Sequence, residues 1–321
     1  MEKWISHPDA VEAKVAEWQE RHSRLLHVDT ITQPTGRPVF ALTMSDIGVP
    51  DDQKKKLLGF VPHAHEPAPN AACMNVMNML LTGEQLDGSA PSFDVETARE
   101  KLLVTFIPDA NPDGTARAPV EYWDGYEYTN DEFWAWMRGP DRETGLMWKR
   151  VDIFDTRVEE NLPTRLGIVY EPISEFEHVE PNRHPRSSLM RHIKALREQR
   201  TYDALLSLHQ TEFVNSDRNC MIILPCIYDD QPEELREYEM AWARQIVDAW
   251  TAAGERPIEN IKPLGYTGEQ RQYFINVWGN LYDETPLVTS EVQNNNPATP
   301  PETQQLLTEI AITETIERLL E

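Results

Sequence analysis

Short apolar runs alternate with helical segments along most of the 321-residue chain, and this alternation constrains the fold more than any other feature. Residues 102–107 (LLVTFI) form an almost wholly apolar run that is typical of a buried strand. Further strands are predicted at 39–44, 55–62, 202–208, 220–224 and 286–290. Strands separated by helices are typical of α/β proteins. We therefore predict an α/β fold with a single domain, in which helices flank a mixed, mostly parallel sheet.

The helical segments have apolar residues at helical spacing among polar ones. They are predicted at 8–26, 70–81, 186–200, 232–253 and 301–320. Residues 115–185 differ, because they combine four tryptophans with many charges and little periodicity. We interpret 115–185 as a loop-rich insertion within one catalytic domain that spans residues 1–321.

The charge balance restricts the binding partners that the sequence predicts, and the cysteines indicate the cellular compartment. The chain has 54 acidic and 30 basic residues, for a net charge of -24. Such a surface repels phosphate backbones and anionic membranes, so we predict neither nucleic-acid nor membrane binding. Cys73, Cys220 and Cys226 are scattered, which favours buried thiols in a reducing compartment. With no signal-peptide pattern and no membrane-length apolar run, a cytoplasmic location is predicted.

The sequence His63-Ala64-His65-Glu66 follows the predicted strand at 55–62. If a helix begins here, His63 and Glu66 project from one face. An imidazole nitrogen and a carboxylate oxygen are two ligands of a zinc site, and catalytic zinc usually takes three protein ligands. The simpler interpretation is a surface or capping pair, so the zinc hypothesis needs a third ligand. We predict His209, at the end of another strand, and assign no ligand role to His65.

Four candidate site residues come directly after predicted strands. They are His63, Asn111, His209 and Glu291. In parallel sheets, binding sites form beyond the carboxyl ends of the strands. We therefore expect these side chains to converge at one edge of the sheet.

The order of four short motifs resembles the zinc metallocarboxypeptidases of the carboxypeptidase A type. The motifs are His63-x-x-Glu66, Asn111-Pro112-Asp113-Gly114, Leu208-His209 and Thr289-Ser290-Glu291. The resemblance extends over nearly the whole chain. It implies a peptidase that hydrolyses a C-terminal peptide or peptide-like amide. One Zn²⁺ would be held by two histidines and a glutamate, here His63, Glu66 and His209, and Glu291 would be the general base.

The resemblance also implies a cationic side chain that stabilises the oxyanion, after the Asn-Pro-Asp-Gly turn. Leu146-Met147-Trp148-Lys149-Arg150 matches that stretch of the family, so Arg150 is predicted to take this role. Lys149 and Arg138 are the alternatives.

Two further roles follow from the same resemblance. Asn182 and Arg183 would grip the terminal carboxylate of the substrate, with Glu180 supporting a zinc-bound histidine. Arg165 is the alternative to Arg183. Tyr266 would close over the substrate, with Tyr273 as the alternative.

Two other functions and the side-chain preference stay open. A zinc-dependent deacylase of N-acyl amino acids, similar to the aspartoacylase group, would use the same ligand pattern. An inactive binding protein on the same fold is the third hypothesis. The substrate is therefore predicted to be a peptide or an acyl amino acid. Asp283 and Glu284 would favour a basic side chain in the substrate, whereas Arg271 would favour an acidic one, and the sequence indicates no oligomeric state.

Overall fold

The fold is known from a computed structural model, which describes residues 3–141, 143–145, 151–213, 216–279 and 281–321. The strands are β1 (Leu26–Thr32), β2 (Pro38–Met44), β3 (Lys55–Phe60), β4 (Leu102–Ile107), β5 (Phe154–Asp155), β6 (Glu171–Pro172), β7 (Glu177–Val179), β8 (Ala204–Thr211), β9 (Cys220–Leu224), β10 (Lys262–Pro263) and β11 (Leu287–Gln293). The α-helices are α1 (Pro8–Arg21), α2 (Pro67–Thr82), α3 (Val95–Lys101), α4 (Pro112–Ala116), α5 (Asn130–Arg138), α6 (Ser188–Gln199), α7 (Glu233–Ala252), α8 (Gly268–Trp278), α9 (Leu281–Glu284) and α10 (Pro301–Leu320).

An eight-stranded sheet with the order β1-β2-β4-β3-β8-β11-β9-β10 forms the centre of the fold. Its central strands β4, β3, β8 and β11 run parallel to one another. The pairs β1/β2, β2/β4 and β9/β11 are antiparallel. This arrangement confirms the predicted α/β class with a mixed, mostly parallel sheet flanked by helices.

Both faces of the sheet are buried, which explains why the central strands are nearly continuous apolar runs. On one face, the core includes Leu102, Val104 and Phe106 of β4 together with side chains of α2, α7 and α10. On the other face, Leu103 and Ile107 pack with side chains of α6 and α8. Successive residues of a strand point to opposite faces, so a single run supplies both cores.

One predicted helix boundary and the predicted burial of one cysteine need correction. The first helix ends at Arg21, and Leu26 begins β1, because the apolar residues there pair with β2 rather than extending the helix. The loop-rich insertion predicted at about 115–185 holds short elements, namely α5 and a small antiparallel sheet with the order β5-β7-β6. The single-domain boundaries stay a prediction. Cys226 is half-buried rather than buried.

None of the helices in the described part of the chain is long and apolar enough to span a membrane.

Gly59 allows β3 to pack closely beside β4, directly before the predicted site. A Cβ atom at this position would lie 2.8 Å from two ring carbons of Phe106, which is fully buried. Overpacking of this kind costs about 1–3 kcal/mol, so Gly59→Ala is expected to lower the free energy of unfolding by that amount. Urea unfolding measures the change. Gly265→Ala is the control, because nothing lies within 4 Å of its added Cβ; equal losses in both variants would contradict the packing argument.

Candidate metal centre and active-site cavity

The candidate site lies where the chain changes direction across the sheet. β3 and β8 are neighbours in the sheet. The chain goes from β3 to β4 on one side of this pair, whereas β11 lies beside β8 on the other side. Ligand sites of open α/β sheets form at such switch points. His63 follows the end of β3, and His209 lies near the carboxyl end of β8, so the two histidines come from neighbouring strands.

Three side-chain atoms converge at this point. His63 Nδ1 lies 2.9 Å from Glu66 Oε1 and 3.2 Å from His209 Nδ1. His209 Nδ1 lies 3.2 Å from the same Glu66 oxygen. All three residues are buried, and they are the only such group of potential metal ligands in the described part of the chain. The structure thus brings together the three side chains that the sequence predicts as ligands.

The local geometry of Glu66 differs from the sequence prediction in one respect. His63 and Glu66 lie in a turn that precedes α2, closed by a hydrogen bond from the Glu66 amide to the His63 carbonyl. Glu66 is the N-cap of α2, and Pro67 is its first residue. The two side chains are close because of this turn, rather than because they share a helix face.

The three atoms fit a zinc ion in number, type and spacing. Tetrahedral zinc with ligands at 2.0–2.2 Å places neighbouring ligand atoms about 3.3–3.6 Å apart. The observed separations are 2.9–3.2 Å. Glu66 Oε1 contacts both histidines, which orients the carboxylate toward the cluster, and the second oxygen is buried without a hydrogen bond to any described residue. Two histidines and one glutamate leave one coordination position open, as in catalytic zinc sites.

The remaining ring nitrogens of both histidines have hydrogen-bond partners that fix the rings. His63 Nε2 lies 3.0 Å from Glu180 Oε1 and 3.1 Å from Asn182 Oδ1. His209 Nε2 lies 2.8 Å from Ser207 Oγ. Each Nε2–H therefore has an acceptor, which leaves both Nδ1 lone pairs facing the cluster.

The nearby carboxylates favour positive charge at the centre of the cluster. Burial opposes protonation of His63, but Glu66 and Glu180 outweigh this effect and raise its pKa to about 9. Burial also acts to raise the pKa of Glu66, yet His63 and His209 hold that pKa well below its usual range. A divalent cation at the same position would supply the charge that these groups favour.

Glu291 lies beside His209 on the neighbouring strand. The two residues pair in register between parallel β11 and β8, so their side chains project from the same face of the sheet. Both line one cavity of about 130 Å³ together with His63 and Glu66. This places a carboxylate next to the candidate metal centre, where a general base is needed.

Arg183 lines the same cavity and is almost fully buried. Its Nε donates a 2.8 Å hydrogen bond to Glu180 Oε1, and its Nη2 donates to the Tyr266 hydroxyl at 3.3 Å. Its Nη1 is buried without a hydrogen-bond partner among the described residues. The guanidinium is oriented by Glu180 and keeps one buried donor, Nη1, that none of the described residues accepts.

The alternative arginines lie elsewhere. Arg165 stacks over the Trp136 ring at 3.3 Å from its centroid, and neither Arg165 nor Arg138 is among the residues lining the cavity. Arg150 and Lys149 are outside the described residues. The predicted oxyanion role of Arg150 therefore stays a prediction.

Of the two candidate tyrosines, Tyr266 lines the cavity and Tyr273 does not. The Tyr266 ring stacks on Phe274 with centroids 5.0 Å apart, and its hydroxyl accepts the hydrogen bond from Arg183. Asn111, in contrast, supports a turn. Its side chain accepts from the Gly114 amide at 3.1 Å and donates to the Ile168 carbonyl at 2.9 Å, outside the cavity lining.

One part of the cavity is strongly apolar. Phe274, Trp278, Tyr282 and Leu287 line it. Two of the charged residues that left the side-chain preference open, Arg271 and Glu284, lie outside the lining. Arg271 pairs with Asp230 at 2.7 Å and Glu284 pairs with Arg197, while the Asp283 side chain is outside the description.

Some cavity residues were missed at the sequence level. Ser207 lies two residues before His209, so the two-residue period of a strand was a usable signal for it. Trp134 and Glu212 also line the cavity, although α5 is distant in sequence from the other site residues. No local pattern indicates such a long-range contact.

The structure is similar to solved metallocarboxypeptidases. Carboxypeptidase A from Helicoverpa armigera matches with a TM-score of 0.62 and 16% identity, over 100% of this chain and 74% of that chain. A metallo-carboxypeptidase from Burkholderia cenocepacia matches with a TM-score of 0.59 and 12% identity, over 96% and 68%. One from Pseudomonas aeruginosa, in complex with (2-guanidinoethylmercapto)succinic acid, matches with a TM-score of 0.55 and 14% identity, over 96% and 69%.

These matches show that the chain has the metallocarboxypeptidase fold, as the sequence resemblance predicts. No protein-family model matches the chain, and no curated protein sequence matches it. The similarity is therefore one of fold, and the activity has to be argued from the site.

Proposed function

We propose that this protein is a zinc-dependent carboxypeptidase that hydrolyses the last amide bond of a peptide. His63, Glu66 and His209 would hold one zinc ion. When bound, the ion supplies a Lewis acid and makes water more acidic. Glu291 would take a proton from the attacking water as its oxygen bonds to the carbonyl carbon. The C–N bond then breaks, and the proton passes to the leaving amine.

The buried Arg183 is the observation that favours a carboxypeptidase over other metal-dependent hydrolases. A guanidinium binds a carboxylate through parallel N–H donors. Arg183 lines the cavity that contains the candidate metal ligands, and its Nη1 is buried without a hydrogen-bond partner among the described residues. A buried donor without a partner is costly, and the terminal carboxylate of a peptide would satisfy it.

The apolar part of the cavity supports an apolar C-terminal side chain. Arg183 lies 4.8 Å from the Phe274 ring centroid, and Trp278 Nε1 donates to the carbonyl of Asn182. The carboxylate-binding residues and the aromatic wall are therefore adjacent. A substrate held by Arg183 would place its last side chain against this wall, and burying that side chain would favour binding.

The carboxylate role of Arg183 is tested with a matched pair of substrates. One is a dipeptide ending in Phe with a free carboxylate, and the other is its C-terminal amide. Arg183→Lys keeps the charge but loses the planar pair of donors. We expect kcat/KM for the free acid to fall about 10- to 100-fold, mainly through KM, because a charged hydrogen bond contributes about 1.5–3 kcal/mol. The amide should change much less.

Arg186→Lys is the control for this experiment. Arg186 pairs with Glu177 at 2.9 Å and is half-exposed, outside the cavity lining. Its replacement should leave kcat/KM unchanged for both substrates. Equal hydrolysis of free acid and amide by the unmodified protein would rule out the carboxypeptidase assignment while leaving an amidase open.

A further inference from the structure

A tryptophan and a glutamate line the cavity at the end toward which β8 runs. Trp134 of α5 and Glu212, the residue after β8, both contribute to the lining. Trp134 Nε1 donates a 2.9 Å hydrogen bond to Glu212 Oε1. The Thr211 hydroxyl donates to Glu212 Oε2 at 3.1 Å. Both carboxylate oxygens are thus held in place, and their donors are uncharged.

The strand register gives the spacing of the lining residues along the sheet on either side of the candidate metal centre. Parallel strands rise about 3.3 Å per residue, so Leu287 lies about 13 Å before Glu291 along β11. Glu212 lies about 10 Å beyond His209 in the opposite direction. The apolar wall and Arg183 belong to the first half, which would take the C-terminal residue. The second half would take the acyl side of the scissile bond.

Helix α5 is anchored, so it forms a fixed boundary at this end. Its Phe133 packs edge to face on Trp123, with ring centroids 5.0 Å apart. The amide of Ile168 donates to the Trp136 carbonyl at 3.0 Å. The helix begins with a capping box formed by Thr129 and Glu132. These contacts hold the Trp134 indole against the end of β8.

The acyl half therefore has room for only a short chain. An extended peptide spans about 3.3–3.6 Å per residue, and the indole and carboxylate occupy part of the 10 Å available, which leaves space for about two residues. The carboxylate of Glu212 has no cationic partner among the described residues, so it would attract a positive group at this distance.

We propose that the Trp134–Glu212 contact restricts the substrate to dipeptides and tripeptides with a free amino terminus. This inference rests on the proposed carboxypeptidase function and adds a substrate class to it. The terminal ammonium group of a tripeptide would lie at Glu212, and its terminal carboxylate at Arg183. Longer peptides would meet the Trp134 ring.

The length limit is tested with peptides of two to six residues that share a C-terminal Phe. We expect kcat/KM to fall at least about tenfold between the tripeptide and the pentapeptide, since a chain excluded from the cleft loses its binding contacts. Trp134→Ala removes the ring and should reduce this fall to less than about threefold. Trp134→Phe retains a ring and should keep the limit. Trp136→Ala is the control, because it lies on the same helix outside the lining.

The role of Glu212 is tested separately. Glu212→Gln keeps an acceptor for Trp134 and removes the charge. The unmodified protein should prefer a free tripeptide over its N-acetyl form about tenfold, and Glu212→Gln should bring that ratio near one. This comparison tests the proposal even if Trp134→Ala fails to fold.

The outcomes separate this inference from the function on which it rests. Equal turnover of hexapeptide and dipeptide would overturn the length limit but retain the carboxypeptidase. A preference for N-acetyl amino acids over dipeptides would overturn the role of Glu212 and favour the deacylase. Failure to hydrolyse any member of the series in the zinc-loaded protein would overturn the proposed function itself.

Discussion

Glu291→Gln is expected to lower kcat for a Phe-terminated dipeptide by about 10³-fold, within the range found when a general base is removed. Gln cannot accept the proton of the attacking water, although it has nearly the same size and keeps a carbonyl oxygen. The register with His209 places Glu291 beside the candidate ligands without making it one of them. KM and the zinc content should therefore change little.

The matched control is Glu284→Gln, on the preceding helix. Glu284 is exposed and pairs with Arg197 outside the cavity. It loses the same charge, so its kcat should match that of the unmodified protein. A Glu291→Gln variant that retains most of its kcat with full zinc content would contradict the assignment of Glu291 as the base.

Loss of one candidate ligand is expected to abolish zinc binding in practice. His209→Ala removes an Nδ1 that lies 3.2 Å from both His63 Nδ1 and Glu66 Oε1. Replacing residues that only support metal ligands already costs 10- to 100-fold in affinity, so we expect the dissociation constant to rise more than about 100-fold. Elemental analysis after dialysis should find about one zinc per unmodified chain and little in the variant.

Thermal unfolding gives a second readout that does not depend on activity. A ligand at 1,000 times its dissociation constant stabilises the folded state by about 4 kcal/mol, so zinc should raise the Tm of the unmodified protein but not of His209→Ala. His27→Ala is the control, because His27 is exposed on β1, away from the cluster. Zinc binding that survives in His209→Ala would contradict the proposed ligand set.

The sheet and the candidate metal ligands could be predicted because their signals are local. Runs such as 102–107 and 220–224 identify strands by hydrophobicity alone, and both are strands in the structure. His63 and Glu66 are three residues apart, and His209 follows an apolar run. Since parallel strands bring their carboxyl ends to one edge, strand prediction was enough to expect these side chains near one another.

The first helix shows where local signals fail. Leu25 and Leu26 continue the helical spacing of residues 8–21, yet Leu26 belongs to β1 and pairs with Met44 of β2. Hydrogen bonding to a strand that lies further along the chain decides this boundary. Helix α8 was missed for a related reason, since its Phe274 and Trp278 acquire their role by facing the cavity rather than through a regular apolar period.

Only the tertiary structure decided which polar side chains complete the cavity. Arg183 and Arg165 are equally plausible in sequence. In the structure Arg183 lines the cavity and donates a hydrogen bond to Glu180, whereas Arg165 stacks on Trp136 outside the lining. Trp134 and Glu212 meet across 78 residues of chain. Such contacts depend on how loops pack over the sheet. Hydrophobic period specifies which face of a segment is buried, but it carries no information about which distant side chain lies opposite.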